Sequence, residues 1–297
     1  MDKKTSQKFK RPALLMIGCG DVGLRMLPWL CQRFRVFAVM RNIQRCAAIR
    51  ALGAVPVLAD LDQPASLRRL AGLARVTQYI LHLAPPPSSG SQDTRSRRLC
   101  AILPAQANLV YVSTSGVYGD CGGERIDETR RVRPHNARAV RRVDAEQVLR
   151  AWAARNQAQL AILRVPGIYA ADRLPLARLE KRTPALLASE DVYTNHIHAE
   201  DLARICALAL FRARPQRVYH AVDDSQLKMG EYFDLVADHF QLERAPRLTR
   251  EEIQTQLSPV MLSFMSESRI LDNRRLKQEL RIRLRFPDVS AGLLAIK

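Results

Sequence analysis

The sequence predicts an α/β fold, a doubly wound parallel sheet with a smaller, interleaved C-terminal domain. Three observations favour this class. Apolar strands alternate with amphipathic helices in the first half of the chain, the strand at residues 79–83 is almost continuously apolar, and the first strand ends in a glycine-rich turn. We expect residues 12–170 to form the main domain together with residues 190–225, and residues 171–297 to form most of the smaller, substrate-holding domain.

A turn with the spacing G-x-G-x-x-G joins the first strand to the first helix. Gly18 permits the sharp turn, Gly20 lets the backbone approach a pyrophosphate, and Gly23 lets the helix pack closely on the strand. The N-terminus of the helix offers unpaired N–H groups and a partial positive charge to phosphate. The turn therefore predicts a Rossmann dinucleotide site. Its expected cofactor contacts are Gly18, Cys19, Gly20, Asp21, Val22 and Gly23.

The second strand, residues 36–40, ends in Arg41 and Asn42 without an acidic residue. An NAD site carries a carboxylate here for the ribose 2′-hydroxyl, whereas an arginine accommodates a 2′-phosphate. We therefore expect NADP in preference to NAD, with Arg41 as the discriminating contact. The alternative is that Arg41 is one of the many solvated arginines of this chain.

The third strand, residues 54–58, contains Pro56. Proline cannot donate to a strand ladder and is confined to sheet edges, which is where the third strand lies in the order 3-2-1-4-5-6. Asp60 and Leu61 follow this strand, close to the position expected for an adenine. Both are therefore candidate cofactor contacts.

The fourth strand, residues 79–83, is followed by a polar segment at residues 88–98 that is rich in serine and glycine. We expect this segment to be a mobile loop over the cofactor. The fifth strand, residues 109–112, runs directly into Ser113-Thr114-Ser115, and a sixth strand is expected at residues 160–165.

The chain is strongly basic, with 47 Lys and Arg against 29 Asp and Glu and a net charge of +18. Such a charge raises the question of nucleic acid or of an anionic small molecule as partner. The basic residues form no recognised nucleic-acid-reading motif and are spread over many segments, so we do not expect nucleic acid as a partner. Most of the excess is interpreted as a solvated surface.

Six cysteines lack paired spacing, which is typical of reduced thiols in the cytoplasm. Residues 1–11 form a basic tail, and the apolar stretch after it is too short for the ~7 to 15 residue core of a signal sequence. No run reaches the ~18 apolar residues of a membrane span. We expect a cytoplasmic protein with no membrane partner, as a monomer or a homodimer.

His196 and His198 alternate on a short strand and so share a face. No cysteine or carboxylate motif completes a ligand shell beside them, so no metal is expected.

Six stretches in order resemble an atypical member of the extended short-chain dehydrogenase/reductase superfamily, within its NAD(P)-dependent epimerase/dehydratase family. They are residues 18–23, 59–61, 113–119, 145–146, 163–169 and 198–203. The form is atypical because a single residue separates the first two glycines, where the extended family usually has two. The resemblance implies an NAD(P)-dependent oxidoreductase or epimerase/dehydratase acting on a small, anionic or nucleotide-sugar-like substrate. It also implies cofactor contacts at Leu83, Ala84 and Val165.

The resemblance further implies a catalytic Ser or Thr, a Tyr that acts as general acid/base, and a Lys four residues after it. Thr114 takes the first position, but the Tyr and Lys positions hold Arg138 and Arg142. No shift of register restores the pair, because residues 119–168 contain no tyrosine and residues 11–180 contain no lysine. A guanidinium stays protonated and cannot exchange its proton at neutral pH. Arg142 could still hold the cofactor ribose or a phosphate.

Three functions therefore remain open. In the first, hydride chemistry uses another acid, and Tyr118, Tyr169 and His198 are the ionisable groups that could reach the site. In the second, the arginines of residues 130–142 bind and polarise an anionic substrate. In the third, the protein binds NADP(H) without turnover and acts as a regulator or sensor. The candidate catalytic residues are Thr114 and Tyr118, and the candidate substrate contacts are Arg138 and Tyr169.

Overall fold

The structure is a computed structural model that describes residues 11–296. Except for Arg11, the basic tail predicted for residues 1–11 lies outside the described residues. The strands are β1 (Ala13–Ile17), β2 (Arg35–Met40), β3 (Val55–Leu58), β4 (Tyr79–His82), β5 (Asn108–Thr114), β6 (Arg125–Ile126), β7 (Gln159–Val165), β8 (Gly167–Tyr169), β9 (Ala185–Leu186), β10 (Tyr193–Thr194), β11 (His196–His198), β12 (Arg217–His220), β13 (Leu227–Lys228), β14 (Arg247–Leu248) and β15 (Ile270–Leu271).

The helices alternate with these strands in the first half of the chain and are grouped more closely in the second half. They are α1 (Asp21–Arg33), α2 (Cys46–Ala51), α3 (Pro64–Ala74), α4 (Thr94–Cys100), α5 (Ala137–Arg155), α6 (Leu176–Glu180), α7 (Ala199–Arg212), α8 (Met229–His239), α9 (Arg250–Gln254), α10 (Pro259–Phe264), α11 (Arg274–Leu280) and α12 (Val289–Leu294).

Seven strands form one parallel sheet in the order β12-β7-β5-β4-β1-β2-β3. This confirms the predicted doubly wound α/β fold, including the reversal of strand order between β1 and β4. Pro56 lies on the edge strand β3, opposite Ala38 of β2. The missing N–H of this proline therefore does not interrupt the interior of the sheet.

Helices cover both faces of the sheet because successive side chains of each strand point to opposite sides. In β4, Leu81 packs into the layer that contains α1, α7 and α11. Its neighbour Ile80 packs into the opposite layer, with α3, α4 and α5. Because the seven strands are parallel, their carboxyl ends lie along one edge of the sheet. The candidate site lies at this edge.

The remaining strands are short and pair two by two, as β8 with β11, β9 with β14, β10 with β13, and β6 with β15. A separate apolar cluster forms around α8 and includes Tyr169, Phe233 and Val236. These elements come mostly from the second half of the chain. They stand beside the carboxyl edge of the main sheet, because β8 follows directly after β7.

The prediction of a loop throughout residues 88–98 is wrong for its second half, because α4 begins at Thr94. Asp93 starts this helix by accepting hydrogen bonds from the N–H groups of Arg95 and Ser96. The buried Ser96 hydroxyl also contacts His82 Nε2 at 3.0 Å. The polar composition of the segment therefore reflects a capped helix and a buried hydrogen-bond network.

All six cysteines are unpaired in the structure. Between residues 11 and 296, every helix is too short or too polar to cross a lipid bilayer.

Candidate functional site

Two neighbouring clefts open at the carboxyl edge of the sheet. The first, the cofactor groove, has a volume of about 370 Å³ and lies where the strand order reverses. The structure brings eight of the predicted cofactor contacts together here, namely Gly18, Cys19, Gly20, Arg41, Asp60, Leu61, Leu83 and Ala84. Asp21, Val22 and Gly23 begin α1 directly behind it. The groove thus joins the glycine turn to the ends of β2, β3 and β4.

The glycine turn has the shape that a dinucleotide phosphate site requires. Gly18 has φ +89°, and a Cβ atom built on it would lie 2.6 Å from the backbone nitrogen of Ala84. Gly20 faces open space, with no heavy atom within 4 Å of a built Cβ. It occupies the N-cap position of α1 without a side-chain cap, so the first N–H groups of the helix lack a capping partner. The turn therefore fits an approaching phosphate.

The far end of the cofactor groove is basic. The Arg41 and Arg45 side chains are exposed there, and neither forms an ion pair with a described residue. Arg95, in contrast, is committed to Asp62, with its Nη2 2.6 Å from Oδ2, and this pairing lowers the pKa of Asp62. Arg41 and Arg45 are thus the arginines of this groove that remain available to a ligand.

The second cleft, called the substrate cleft, has a volume of about 450 Å³ and lies between the end of β5, β8, α8 and α10. Thr114 ends β5 at its margin, and its Oγ1 accepts a hydrogen bond from the Gly116 N–H at 3.2 Å. Arg138 reaches the cleft from the first turn of α5, with its guanidinium 4.6 Å from the centre of the Phe264 ring. Tyr169 lines the cleft with its hydroxyl donating to the Asp288 carbonyl at 3.0 Å. Three predicted site residues therefore share one cleft.

Tyr118, the other predicted catalytic residue, does not line the substrate cleft. The residue is 1 % exposed, and its hydroxyl contacts His220 Nε2 at 2.5 Å and accepts from Arg164 Nη1 at 2.7 Å. Burial raises the pKa of Tyr118 to about 12, although Arg164 opposes the rise. A short helical turn after Thr114 turns the Tyr118 ring into the core, so it does not reach the cleft.

Two further predicted cofactor contacts lie outside the cofactor groove. Arg142 Nη1 donates to the Val112 carbonyl at 2.8 Å and to the Tyr111 hydroxyl at 3.0 Å, beneath the end of β5. Val165 is a buried residue at the end of β7. Both lie near residues that line the substrate cleft, since Ala139 precedes Arg142 on α5 and Pro166 directly follows Val165.

The two histidines of β11 have different environments. His198 caps α7 by accepting from the Glu200 N–H through Nδ1, and its ring packs on Phe286. His196 lines the substrate cleft, where burial lowers its pKa to about 4. Within residues 11–296, no group of three or more His, Cys, Asp or Glu side chains is arranged to hold a metal ion.

Several residues that the sequence did not indicate line the substrate cleft, and three of them, Arg173, Arg178 and Arg269, add to the positive charge of Arg138. Four arginines, Arg138, Arg173, Arg178 and Arg269, stand against one carboxylate, Glu267. Arg178 is the most unusual of them because burial lowers the pKa of its guanidinium to about 10. Its Nε is buried without a hydrogen-bond partner, and its Nη2 donates only to the Pro184 carbonyl at 2.8 Å. An anion in the cleft would compensate this cation.

The two clefts are joined through Arg173. This residue lines the substrate cleft, while its Nη1 lies 3.0 Å from Asp21 Oδ2 at the start of α1. Arg25 extends the contact by pairing with Asp21, Asp172 and Glu200. Burial raises the pKa of Asp21, but the hydrogen bonds and charges of Arg25 and Arg173 outweigh it and lower that pKa. An ion-pair network therefore connects the glycine turn to the wall of the substrate cleft.

Comparisons with known proteins agree with this geometry. Residues 98–286 match the family described as RmlD substrate binding domain. A functionally unknown conserved protein from Silicibacter pomeroyi DSS is 28 % identical, with a TM-score of 0.77 over 96 % of this chain and 98 % of its own. No curated protein matches the chain in sequence.

Two other solved structures share the fold at lower identity. MoeE5 in complex with UDP-glucose and NAD is 20 % identical, with a TM-score of 0.73 over 95 % of this chain and 96 % of that one. UDP-glucuronic acid 4-epimerase from Bacillus cereus in complex with NAD is 15 % identical, with a TM-score of 0.74 over 96 % and 97 % of the two chains.

Proposed function

The chain belongs to the RmlD substrate binding domain family, within the extended short-chain dehydrogenase/reductase superfamily, and from this premise we propose an NADP-dependent epimerase/dehydratase-like enzyme for a nucleotide sugar. The observation that carries the proposal is that a glycine turn with room for a phosphate and a basic cleft lie at the same edge of the sheet. Arg173 lines the basic cleft and pairs with Asp21, which directly follows Gly20 of the turn. A dinucleotide and an anionic substrate would thus lie side by side at the carboxyl ends of the strands.

The residues of the cofactor groove fit a nicotinamide dinucleotide. The open side of Gly20 and the uncapped N–H groups of α1 would hold the diphosphate, and Arg142 is near enough to the end of β5 to orient the nicotinamide ribose. When bound, the cofactor supplies hydride transfer. Thr114 would hold the reacting oxygen of the substrate by a hydrogen bond at the end of β5.

The positive charge of the substrate cleft supports a substrate with a diphosphate or a carboxylate. Two solved structures with the same fold suggest the class of substrate. MoeE5 was solved in complex with UDP-glucose and NAD, and the UDP-glucuronic acid 4-epimerase from Bacillus cereus was solved in complex with NAD. Arg178 is the best placed guanidinium for the anionic group, since its Nε has no partner and it forms no ion pair with a described residue, whereas Arg269 pairs with Glu267. The guanidinium carbon of Arg178 lies 4.3 Å from the centre of the Phe233 ring, and this contact holds the guanidinium in position.

Replacing Thr114 by alanine is the direct test of this function. We expect kcat to fall by about 10²-fold to 10³-fold, because one hydrogen bond to the reacting oxygen is lost, while the Kd for NADPH changes less than about threefold. Thr114→Ser keeps the hydroxyl and should retain most of the rate. Turnover over a panel of nucleoside diphosphate sugars is followed by chromatography of the products, because an epimerisation or dehydration returns the hydride to the sugar and leaves NADPH absorbance unchanged.

A non-catalytic NADP(H)-binding regulator is the second candidate, favoured by the arginines at positions 138 and 142 in place of the family Tyr and Lys. A regulator would bind NADPH but convert no sugar of the panel, and Thr114→Ala would change nothing measurable. That pair of results would replace the enzymatic proposal.

Replacing Arg41 by alanine tests the preference for NADP. The affinity for NADPH should fall by about tenfold to a hundredfold, since a charge-assisted hydrogen bond to the 2′-phosphate contributes about 1.5–3 kcal/mol. The affinity for NADH should change by less than about threefold. Titration of nicotinamide fluorescence measures both constants.

Arg33→Ala is the matched control for Arg41, because Arg33 is an exposed arginine at the opposite end of α1. It should leave both affinities unchanged. An equal loss of NADPH and NADH affinity in Arg41→Ala would contradict the assignment of NADP.

A further inference from the structure

Glu267 is the single carboxylate among the described side chains that line the substrate cleft. Its side chain is 10 % exposed and is held at both oxygens. Oε1 accepts from Asn136 Nδ2 at 3.3 Å, and Oε2 accepts from Arg269 Nη1 at 2.9 Å. These two hydrogen bonds fix the direction in which the Glu267 carboxylate points.

Glu267 lies beside Thr114 and beside Asn136, which is close in sequence to Arg138. A Cβ atom built on Gly116 would lie 3.6 Å from Thr114 Oγ1 and 4.0 Å from Glu267 Oε2, so both oxygens border the same small space. Asn136, which holds Oε1, is also the N-cap of α5, two residues before Arg138 in the family tyrosine position. The short segment between α10 and β15 thus brings a carboxylate next to Thr114 and to the residue that begins α5.

We propose that Glu267 is the catalytic residue that takes the proton of the reacting substrate hydroxyl. The inference rests on the function proposed above. The O–H bond breaks and its proton passes to Glu267, while the C–H bond breaks and its hydrogen leaves with both electrons to an oxidised nicotinamide cofactor. The carbon is left as a carbonyl, Glu267 as a carboxylic acid, and the reverse reaction returns the proton.

The other ionisable groups of the cleft are less suited to this step. Arg138 is a guanidinium cation with N–H donors and no acceptor, so it cannot take a proton from the substrate. Tyr169 is committed to the Asp288 carbonyl, and burial raises its pKa well above the ordinary tyrosine value. His196 packs against Tyr232 on the wall of the cleft, with the two ring centres 4.2 Å apart, and its Nε2 contacts the Thr194 hydroxyl. Glu267 alone combines a negative charge with proximity to Thr114.

Glu267→Gln tests this role because it preserves the size and one acceptor oxygen but cannot take a proton. For nucleotide sugars that the wild-type protein turns over, kcat should fall by about 10²-fold to 10⁴-fold. The Kd values for NADPH and for UDP should stay within about threefold. Without cofactor, calorimetry should show weaker binding of UDP-glucose relative to UDP, because a hydroxyl has lost its charged acceptor. Glu251→Gln, on the exposed face of α9, is the matched control.

A second variant guards against a purely structural explanation. In Glu267→Ala, added formate or acetate should restore part of kcat, because a small carboxylate can enter the vacated space. Wild-type kcat in Glu267→Gln, or loss of NADPH binding in every Glu267 variant, would overturn the role. If the wild-type protein binds NADPH but converts no nucleotide sugar, that result contradicts the proposed function before any Glu267 variant is measured. The role of Glu267, which rests on that function, is then contradicted as well.

Discussion

Replacing Gly18 by alanine is expected to abolish measurable NADPH binding and to destabilise the fold by about 2–5 kcal/mol. The residue has φ +89°, where an L side chain is strained, and its new Cβ would press on the Ala84 backbone, 2.6 Å from N and 2.8 Å from Cα. Backbone cannot give way as a flexible side chain can. The turn and the end of β4 would have to separate, which displaces both walls of the cofactor groove. Urea unfolding and NADPH fluorescence measure the two effects.

Two other glycines separate strain from steric exclusion of the ligand. Gly20→Ala meets no protein atom within 4 Å, so it should leave stability nearly unchanged but weaken NADPH binding, since the methyl group fills the space for phosphate. Gly72→Ala, within α3 and equally open, should leave binding unchanged and add about 0.5–1 kcal/mol of helix stability. NADPH binding by Gly18→Ala at wild-type affinity would contradict the assignment of this turn.

Replacing Glu146 by glutamine is expected to destabilise the protein by about 3–5 kcal/mol, the second large effect. Glu146 and Arg164 form a buried pair whose side chains are 5 % and 6 % exposed, with Nη2 2.7 Å from Oε2 and Nε 3.1 Å from Oε1. Burial alone would lower the pKa of Arg164, but hydrogen bonds and charge from Glu146 raise it above the ordinary arginine value. The neutral amide would leave this guanidinium buried and uncompensated. Chemical denaturation with circular dichroism measures the loss.

The comparison variants follow from the same reasoning. Replacing both partners, Glu146→Leu with Arg164→Met, should recover much of the lost stability, because no charge is then left buried alone. Glu124→Gln breaks an exposed ion pair with Arg130, whose partners are 59 % and 40 % exposed, and should leave the unfolding midpoint within error. Equal losses in Glu124→Gln and Glu146→Gln would show that burial does not govern the energy of these pairs.

The Glu146 pair also supports the substrate cleft. Ser113 donates to Glu146 Oε1 at 2.7 Å, and Ser113 directly precedes Thr114 on β5. Arg164 in turn donates to the Tyr118 hydroxyl at 2.7 Å. The charges beneath the end of β5 therefore anchor the residues on both sides of Thr114. Loss of the pair would be expected to disturb the position of Thr114 as well as the stability of the fold.

Local patterns in the sequence were sufficient for the fold because each depends on near neighbours in the chain. Short apolar runs between amphipathic segments indicated the strands. The spacing of Gly18, Gly20 and Gly23 indicated the first turn, and Pro56 indicated an edge strand. The loop prediction at residues 88–98 failed because polar composition does not distinguish an exposed loop from a helix capped by Asp93. The sequence could not show that Tyr118 lies outside the substrate cleft, because closeness to Thr114 in sequence does not give the direction of its ring.

The sequence by itself determined the doubly wound fold and the position of its glycine turn, and it places arginines at positions 138 and 142, where the resemblance implies a Tyr and a Lys. Only the tertiary structure decided which charges share the substrate cleft. Thr114, Arg178 and Glu267 lie on segments far apart in the chain, and a single Arg or Glu has no local signal among 47 basic and 29 acidic residues. Their significance comes from burial and from their neighbours, and both exist only after the strand ends and the C-terminal elements have packed together.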